Sequence, residues 1–414
     1  MDTIKEVFIE TLKCYFSEDA NCSKHLEQKL LAFDGEELKQ LLILSQKQNL
    51  LAVITEALVK TDIINKMDKG LALMFKQLSV QQTIEQISRT NMFIRTVNML
   101  AKENLYPILV KGLSCRLTYP QPDSRPSNDE DIFINSCEID KYHKALINAG
   151  FETDNTPSEQ LLLLKGELAY LHKNSGLYID LHKNEIEGAK KLAEEVNEYF
   201  ENAFNNPIQL EFASANIKTL NHTAHLLYLV IHAKKHFLVN GFGIRQVTDI
   251  ILFTKVHKDD IDFKQYVHML KISGAYKFAA AIYSMADMLG LQDEQYNLQK
   301  EIDIEYVDAT DMIEDILSGG VFGSDELAKR QSATMMLNAA EGKDNSLIVR
   351  SLFPGREYMT NIYPDLAGKP HKLAYYYVKR IAGYLFKKSD KNSKISVDNA
   401  KKRIELMKEY EVIE

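Results

Sequence analysis

A short apolar run, Ile108-Leu109-Val110-Lys111-Gly112-Leu113-Ser114, is followed by Arg125-Pro126-Ser127-Asn128-Asp129-Glu130-Asp131-Ile132-Phe133-Ile134. These two segments constrain the fold more than any other part of the chain. One strand ends at a glycine, and the next opens on two aspartates one residue apart. Side chains alternate across a strand, so Asp129 and Asp131 project from one face, roughly 6.5–7 Å apart along it. Glu130 then shares the opposite face with Ile132 and Ile134. Two carboxylates fixed on a strand suit one or two hard divalent cations, and Mg²⁺ prefers oxygen ligands together with phosphate oxygens. A third segment, Leu177-Tyr178-Ile179-Asp180-Leu181-His182, alternates in the same way, with Tyr178, Asp180 and His182 on one face and three aliphatics on the other. Together these segments point to a phosphoryl- or nucleotidyl-transfer site.

The rest of the chain bounds this reading. At 414 residues the protein is long enough for two or three subdomains. Its formal net charge of −8 argues against a general nucleic-acid binder, though not against a local basic patch. Cys14, Cys22, Cys115 and Cys137 contain no CxxC pair, so neither a disulfide scaffold nor a zinc module is expected, and a reducing compartment fits. The segment Met1 to Glu6 is amphipathic and acidic from its second residue, unlike a signal peptide. No apolar run approaches the ~18–20 residues that span a bilayer. A cytoplasmic location is the expectation.

Periodicity divides the chain into four parts. Residues 1–105 read as a helical domain. Ile4, Val7, Phe8, Leu12, Tyr15 and Phe16 mark one buried face, a break is expected near Gln46 to Asn49, and a long helix is expected from about Asn65 to Glu103. Residues 106–188 carry the strands. The prolines Pro120, Pro122 and Pro126 force a loop over the site, because each lacks an amide donor. Glu138 to Ala149 reads as a helix capped by Gly150, and Lys173-Asn174-Ser175-Gly176 as a hairpin turn. Residues 189–340 read as a helical region, with a joint at Ser318 to Ser324 that lacks the ending of a phosphate loop. Residues 341–414 form a basic, tyrosine-rich tail expected to pack on the body. The fold class is α+β, mostly helical, with a small mixed sheet flanked by N-terminal and C-terminal helices.

Lys111-Gly112, Arg125, the Asp129-x-Asp131 pair and Asp180-Leu181-His182 resemble the polymerase beta-like nucleotidyltransferases. More narrowly, the chain resembles a large bacterial nucleotidyltransferase family whose members are mostly uncharacterised. The likeness continues through His225 to His236, Arg245 to Ile250, Leu352 to Met359 and Tyr363-Pro364. It implies a nucleoside monophosphate moved from an NTP, such as ATP, to an acceptor hydroxyl, with release of pyrophosphate and dependence on Mg²⁺. Asp129 and Asp131 would hold the nucleotide-bound metal. Asp180 would hold a second metal and help remove the acceptor proton. Gly112 would let the backbone approach the triphosphate, Ser114 would bond a phosphate oxygen, and Lys111 and Arg125 would act as charge clamps. His182, His232, His236 and Arg245 complete the expected nucleotide pocket. Two departures stand out: Leu113 separates Gly112 from Ser114, and Glu130 replaces the usual apolar residue between the aspartates. They keep open a catalytically silent member that binds nucleotide or a partner. The acceptor also stays open between protein, RNA end, sugar and small metabolite.

His222, His225, His232 and His236 offer a rival reading as a metal site. His232 and His236 have i, i+4 ligand spacing, but Ala233-Lys234-Lys235 lacks the metalloprotease glutamate and places two cations beside any dication. They are expected instead to bond a carboxylate or nucleotide. Arg245 and Asp249 are also i, i+4, and either pair on the helix or serve the pocket. The tail from Lys369 to Lys394 interleaves Lys372, Lys379, Arg380, Lys387, Lys388 and Lys391 with Tyr375, Tyr376 and Tyr377. Such a segment can hold RNA or another acidic partner, lie on a membrane surface, or close over the core. If it engages an acidic acceptor, Lys379→Glu with Arg380→Glu weakens acceptor labelling in a salt-sensitive way. Labelling that is unchanged across ionic strengths assigns the tail a packing role only.

Overall fold

The computed structural model describes residues 2–17, 20–154, 157–183, 192–213, 215–239, 242–292, 297–319, 372–373, 375–376 and 405–412. Most of the basic tail, residues 320–324 of the Ser318 to Ser324 joint and the Leu352 to Pro364 segment therefore lie outside the described residues.

The N-terminal helices are α1 (Thr3–Phe16), α2 (Ala20–Ala32), α3 (Gly35–Lys47), α4 (Leu51–Lys60) and α5 (Lys69–Lys102). Asp34 closes a capping box with Glu37 at the start of α3. The expected break falls between α3 and α4, where Asn49 takes a left-handed φ of 57°. The long helix runs close to its expected bounds, and Asn104 turns the chain out of it at φ 58°. Val7, Phe8, Leu12 and Tyr15 are buried, as the spacing of α1 requires. Cys14 of α1 and Cys22 of α2 are joined in a disulfide, whereas Cys115 and Cys137 are free thiols. A bridge spanning eight residues is no scaffold, yet it departs from the expectation of a wholly reduced chain.

The sheet follows. Strands β1 (Ile108–Val110), β2 (Asp129–Ile134), β3 (Glu167–His172) and β4 (Leu177–Lys183) arise where expected, with α6 (Gly112–Arg116), α7 (Ile139–Asn148) and α8 (Glu159–Lys165) between them. Beyond α9 (Glu194–Asn205), two further strands, β5 (Ile208–Phe212) and β6 (Ala215–Thr219), extend the sheet past residue 188 into the stretch read as helical. The order is β3-β4-β2-β1-β6-β5. β2 runs parallel to β4 and antiparallel to β1, and β1 runs parallel to β6. Further helices are α10 (His222–Val239), α11 (Ile244–Val256), α12 (Phe263–Ile272), α13 (Tyr276–Ser284), α14 (Leu298–Ile302) and α15 (Thr310–Gly319).

Strand alternation sorts the two sheet faces between two cores. Leu109, Ile132, Ile134, Ile179, Leu181 and Ile217 pack with Phe93, Val97 and Leu100 of α5 and Tyr142 of α7. On the other face, Ile108, Val110 and Phe133 join the larger helical core. There Phe133 lies edge-on to Tyr228 of α10, with ring centroids 5.6 Å apart. The aspartates occupy this second face, so α10 stands over them.

Glu130 points the other way and has a structural task. Its side chain, 2 % exposed, pairs with the guanidinium of Arg116 at 2.7 Å and accepts the Leu113 amide at 2.9 Å. One carboxylate thus caps α6 and balances a buried arginine. This also explains Gly112, because a Cβ there would lie 1.8 Å from Glu130 Oε2. The space above that glycine belongs to Glu130, where sequence reasoning had reserved it for a triphosphate. Removing one member of a buried ion pair leaves the other charge uncompensated. Glu130→Ala should lower unfolding stability by about 3–5 kcal/mol in chemical denaturation. Glu130→Gln should be clearly destabilising, although strand alternation alone predicts a mild effect. Wild-type stability of both variants would contradict this assignment.

Candidate active site

The strand register brings the carboxylates together. Asp131 of β2 lies directly opposite Asp180 of the parallel strand β4, and Asp129 precedes it on the same face. One oxygen from each of Asp129, Asp131 and Asp180 lies within 4.8 Å of the others. The entry to β2 is pinned from α5, where buried Gln86 accepts the Ser127 amide at 2.6 Å, so the pair cannot slide along the strand.

Lys111 lies at the centre of the site. It occupies a left-handed φ of 55° between β1 and α6, a strained position for a side-chain-bearing residue. His225 Nε2 accepts its amide at 3.1 Å, and Thr219, which bonds both His225 and the Leu109 carbonyl, fixes that ring. The strained backbone is thereby held from β6 and α10. The Lys111 ammonium reaches Asp131 Oδ2 at 2.6 Å and His232 Nε2 at 2.9 Å. His236 Nε2 lies 2.6 Å from His232 Nε2, which extends the chain of contacts along α10. From β4, His182 Nε2 bonds Asp131 Oδ1 at 2.9 Å.

These contacts set the charges. Burial alone would raise the Asp131 carboxyl, but Lys111 and His182 hold it well below its ordinary range. Burial would lower Lys111 and His182, yet the Asp131 carboxylate raises both. Burial, Lys111 and His236 push His232 far down, and burial with Lys111 takes His236 to about 4. Asp180 moves in the other direction: burial and the neighbouring Asp131 and Asp129 push it up to about 7. Three carboxylates this close repel one another, and an all-oxygen donor set of this kind fits a hard divalent cation.

Other expected pocket residues are engaged elsewhere. Arg125 is 3 % exposed and forms a fork with Asp249, Nε to Oδ1 at 2.9 Å and Nη2 to Oδ2 at 2.6 Å. Tyr119 also donates to Asp249, at 2.9 Å. Arg125 therefore ties the proline loop to α11, and its charge is already balanced, contrary to its expected use as a phosphate clamp. Arg245 donates to the Pro126 carbonyl on the same loop, leaving Asp249 to Arg125. Ser114 is buried within α6, at 6 % exposure. The four histidines separate: His225 supports Lys111, His232 and His236 line the site, and His222 meets His257 and Asp260 instead. Sequence reasoning missed Arg116, Tyr119, Thr219 and the Arg125–Asp249 pairing. Each is a contact between segments distant in sequence, and no local pattern announces it.

A profile of a family described as "Uncharacterised nucleotidyltransferase" matches residues 34–290, more than half of the chain. The protein belongs to this family. The match takes in the whole sheet, the three aspartates, Lys111 and the α10 histidines. No curated protein and no solved structure matches the chain.

The raised Asp180 has a consequence for stability. An acid whose folded pKa exceeds its unfolded value favours the folded state at low pH, and that contribution fades as pH rises through the folded pKa. With an unfolded value near 3.9 and a folded value of about 7, the loss spans roughly pH 4 to 7. In chelator-treated protein, Asp180→Asn should melt higher than wild type at pH 8, and the difference should close towards pH 4. A pH-independent difference would show that Asp180 is not crowded by its neighbours.

Proposed function

We propose that the protein is a Mg²⁺-dependent nucleotidyltransferase that moves a nucleoside monophosphate from an NTP to an acceptor hydroxyl and releases pyrophosphate. The observation that carries this reading is the convergence of Asp129, Asp131 and Asp180 beside the Lys111 ammonium. Membership of a nucleotidyltransferase family supports the same reaction class.

Asp129 and Asp131 would hold the cation that accompanies the NTP, and Asp180 would complete a second position. Bound there, divalent cations supply charge neutralisation for the leaving pyrophosphate and the attacking oxygen. The protein's own groups account for the rest. Asp180, directly opposite Asp131 on β4, is the carboxylate placed to help take the proton from an acceptor hydroxyl. Lys111 remains charged and lies within reach of Asp131, so nucleotide entry would exchange that carboxylate for phosphate oxygens. Neutral His232 accepts from the Lys111 ammonium, neither it nor neutral His236 adds further positive charge, and His182 keeps Asp131 ionised and oriented. NTP and Mg²⁺ are abundant in cytoplasm, and a cytoplasmic setting is part of the proposal. The acidic acceptor suggested by the basic tail also belongs to it.

One observation favours a second reading. Both oxygens of Asp131 already have cationic or donor partners in Lys111 and His182, so a catalytically silent, nucleotide-binding member is self-consistent. The two readings part in an assay. Incubation with each α-labelled NTP, Mg²⁺ and host extract, followed by separation into protein, RNA and small-molecule fractions, should give label in one fraction and stoichiometric pyrophosphate. Asp131→Asn should cut transfer at least ~100-fold, about 2.7 kcal/mol of transition-state stabilisation, measured below a melting temperature that also falls because Lys111 loses its buried partner. Asp180→Asn should abolish turnover while leaving part of the Mg-NTP binding. Nucleotide binding without pyrophosphate release, in every fraction, would favour the silent reading.

A further inference from the structure

His222 is the first residue of α10, and His257 closes α11 as its C-cap. Three residues later Asp260 lies in a turn closed by its own amide on the His257 carbonyl, at 3.0 Å. The two imidazoles stack with centroids 4.0 Å apart and planes within 15°. Asp260 Oδ2 is 3.6 Å from His222 Nδ1, and one donor atom from each of the three residues lies within 4.8 Å of the others. Thr223 accepts the Asp262 amide at 2.9 Å, which fastens this turn to the start of α10.

We propose that His222, His257 and Asp260 form a second metal site, separate from the carboxylate site, for a divalent transition ion of the Zn²⁺, Co²⁺ or Ni²⁺ type. Two imidazoles and one carboxylate are borderline donors, which favour such ions over Mg²⁺. Zinc–nitrogen and zinc–oxygen bonds of about 2.0–2.2 Å in a tetrahedron set donors roughly 3.3–3.5 Å apart, so the three groups need to close by only an ångström or so. A metal must lie near the plane of each ring, so one stacked imidazole has to turn about its Cβ–Cγ bond. His257 at a helix end and Asp260, whose side chain is 64 % exposed, leave room for that local adjustment and for a water ligand. Burial keeps both rings below their usual pKa, His257 at about 4, so near neutral pH neither needs to lose a proton before binding.

The site is independent of the carboxylates in position. His232 follows ten residues after His222 on α10, roughly 15 Å along the helix axis. It is nevertheless connected to them. His225, one turn from His222, holds the Lys111 amide, and Phe253 lies between the two regions at 4.9 Å from His225 and 4.6 Å from His257. An ion here would fix the junction of α10, α11 and the turn that leads into α12.

Calorimetric titration of Zn²⁺ into chelator-treated full-length protein, in millimolar Mg²⁺, tests the proposal, with Co²⁺ absorption to report the donor set. Wild type should bind one equivalent in the micromolar range, and Asp131→Asn should bind it equally well. His257→Ala and Asp260→Asn should each weaken binding at least ~10-fold, and Asp260, on an exposed turn, allows a substitution that keeps the fold. The proposal is overturned by absence of binding below millimolar Zn²⁺, or by wild-type affinity in both variants. Loss of the equivalent in Asp131→Asn, or a Co²⁺ thiolate band reporting Cys115 or Cys137, would also overturn it. Absence of zinc binding, or wild-type affinity in both variants, leaves nucleotidyl transfer untouched, so the two proposals fail separately.

Discussion

Lys111 and Asp131 form the contact on which the rest of the site depends. Their 2.6 Å ion pair joins the end of β1 to the middle of β2 in a nearly closed environment, where an unpaired charge of either sign would be costly. The Lys111 backbone adopts an unfavourable conformation to make that contact, and Thr219 and His225 hold it there. Burial, reinforced by the ammonium, keeps His232 and His236 neutral, and burial with the ionised Asp131 pushes Asp180 upward. One pairing therefore helps to set the charge of three titratable neighbours.

The opposite face of β2 solves a different problem with the same alternation. Glu130 turns away from the aspartates towards the core packed against α5 and α7, where it neutralises Arg116 and caps α6. The conformation after β1 depends on it, since its carboxylate fills the space that any Cβ at residue 112 would need. Three consecutive acidic residues on one strand thus divide into two that face the site and one that supports its floor. The Arg125–Asp249 fork adds a third fixture, which binds the proline loop to α11.

Much of this was legible in the sequence where the signal is local. Alternation in β2 and β4 gave the common face of Asp129, Asp131 and Asp180, and the three-four spacing of α1 gave its buried side. Capping and turn residues marked the ends, as Asn104 and Gly150 do with their left-handed backbones. Strands β5 and β6 were missed, although Ile208, Leu210 and Phe212 alternate with polar residues, because five-residue runs between two longer helical patterns carry little weight. The pairing of Arg125 with Asp249, across 124 residues, has no local trace at all. Arg245, four residues from Asp249, looked like the natural partner, and only the fold reveals that the loop arginine takes its place.

The central claim is that Asp129, Asp131 and Asp180 are the ligands of the cation that accompanies the NTP. Anomalous scattering from crystals grown with Mn²⁺ and a non-hydrolysable NTP tests it most directly. A Mn²⁺ peak is expected within bonding distance of Asp129 and Asp131, shared with the nucleotide phosphates, with the Lys111 ammonium moved from Asp131 to a phosphate oxygen. A nucleotide-bound structure in which Lys111 still pairs with Asp131 and no Mn²⁺ lies among the three carboxylates would contradict it.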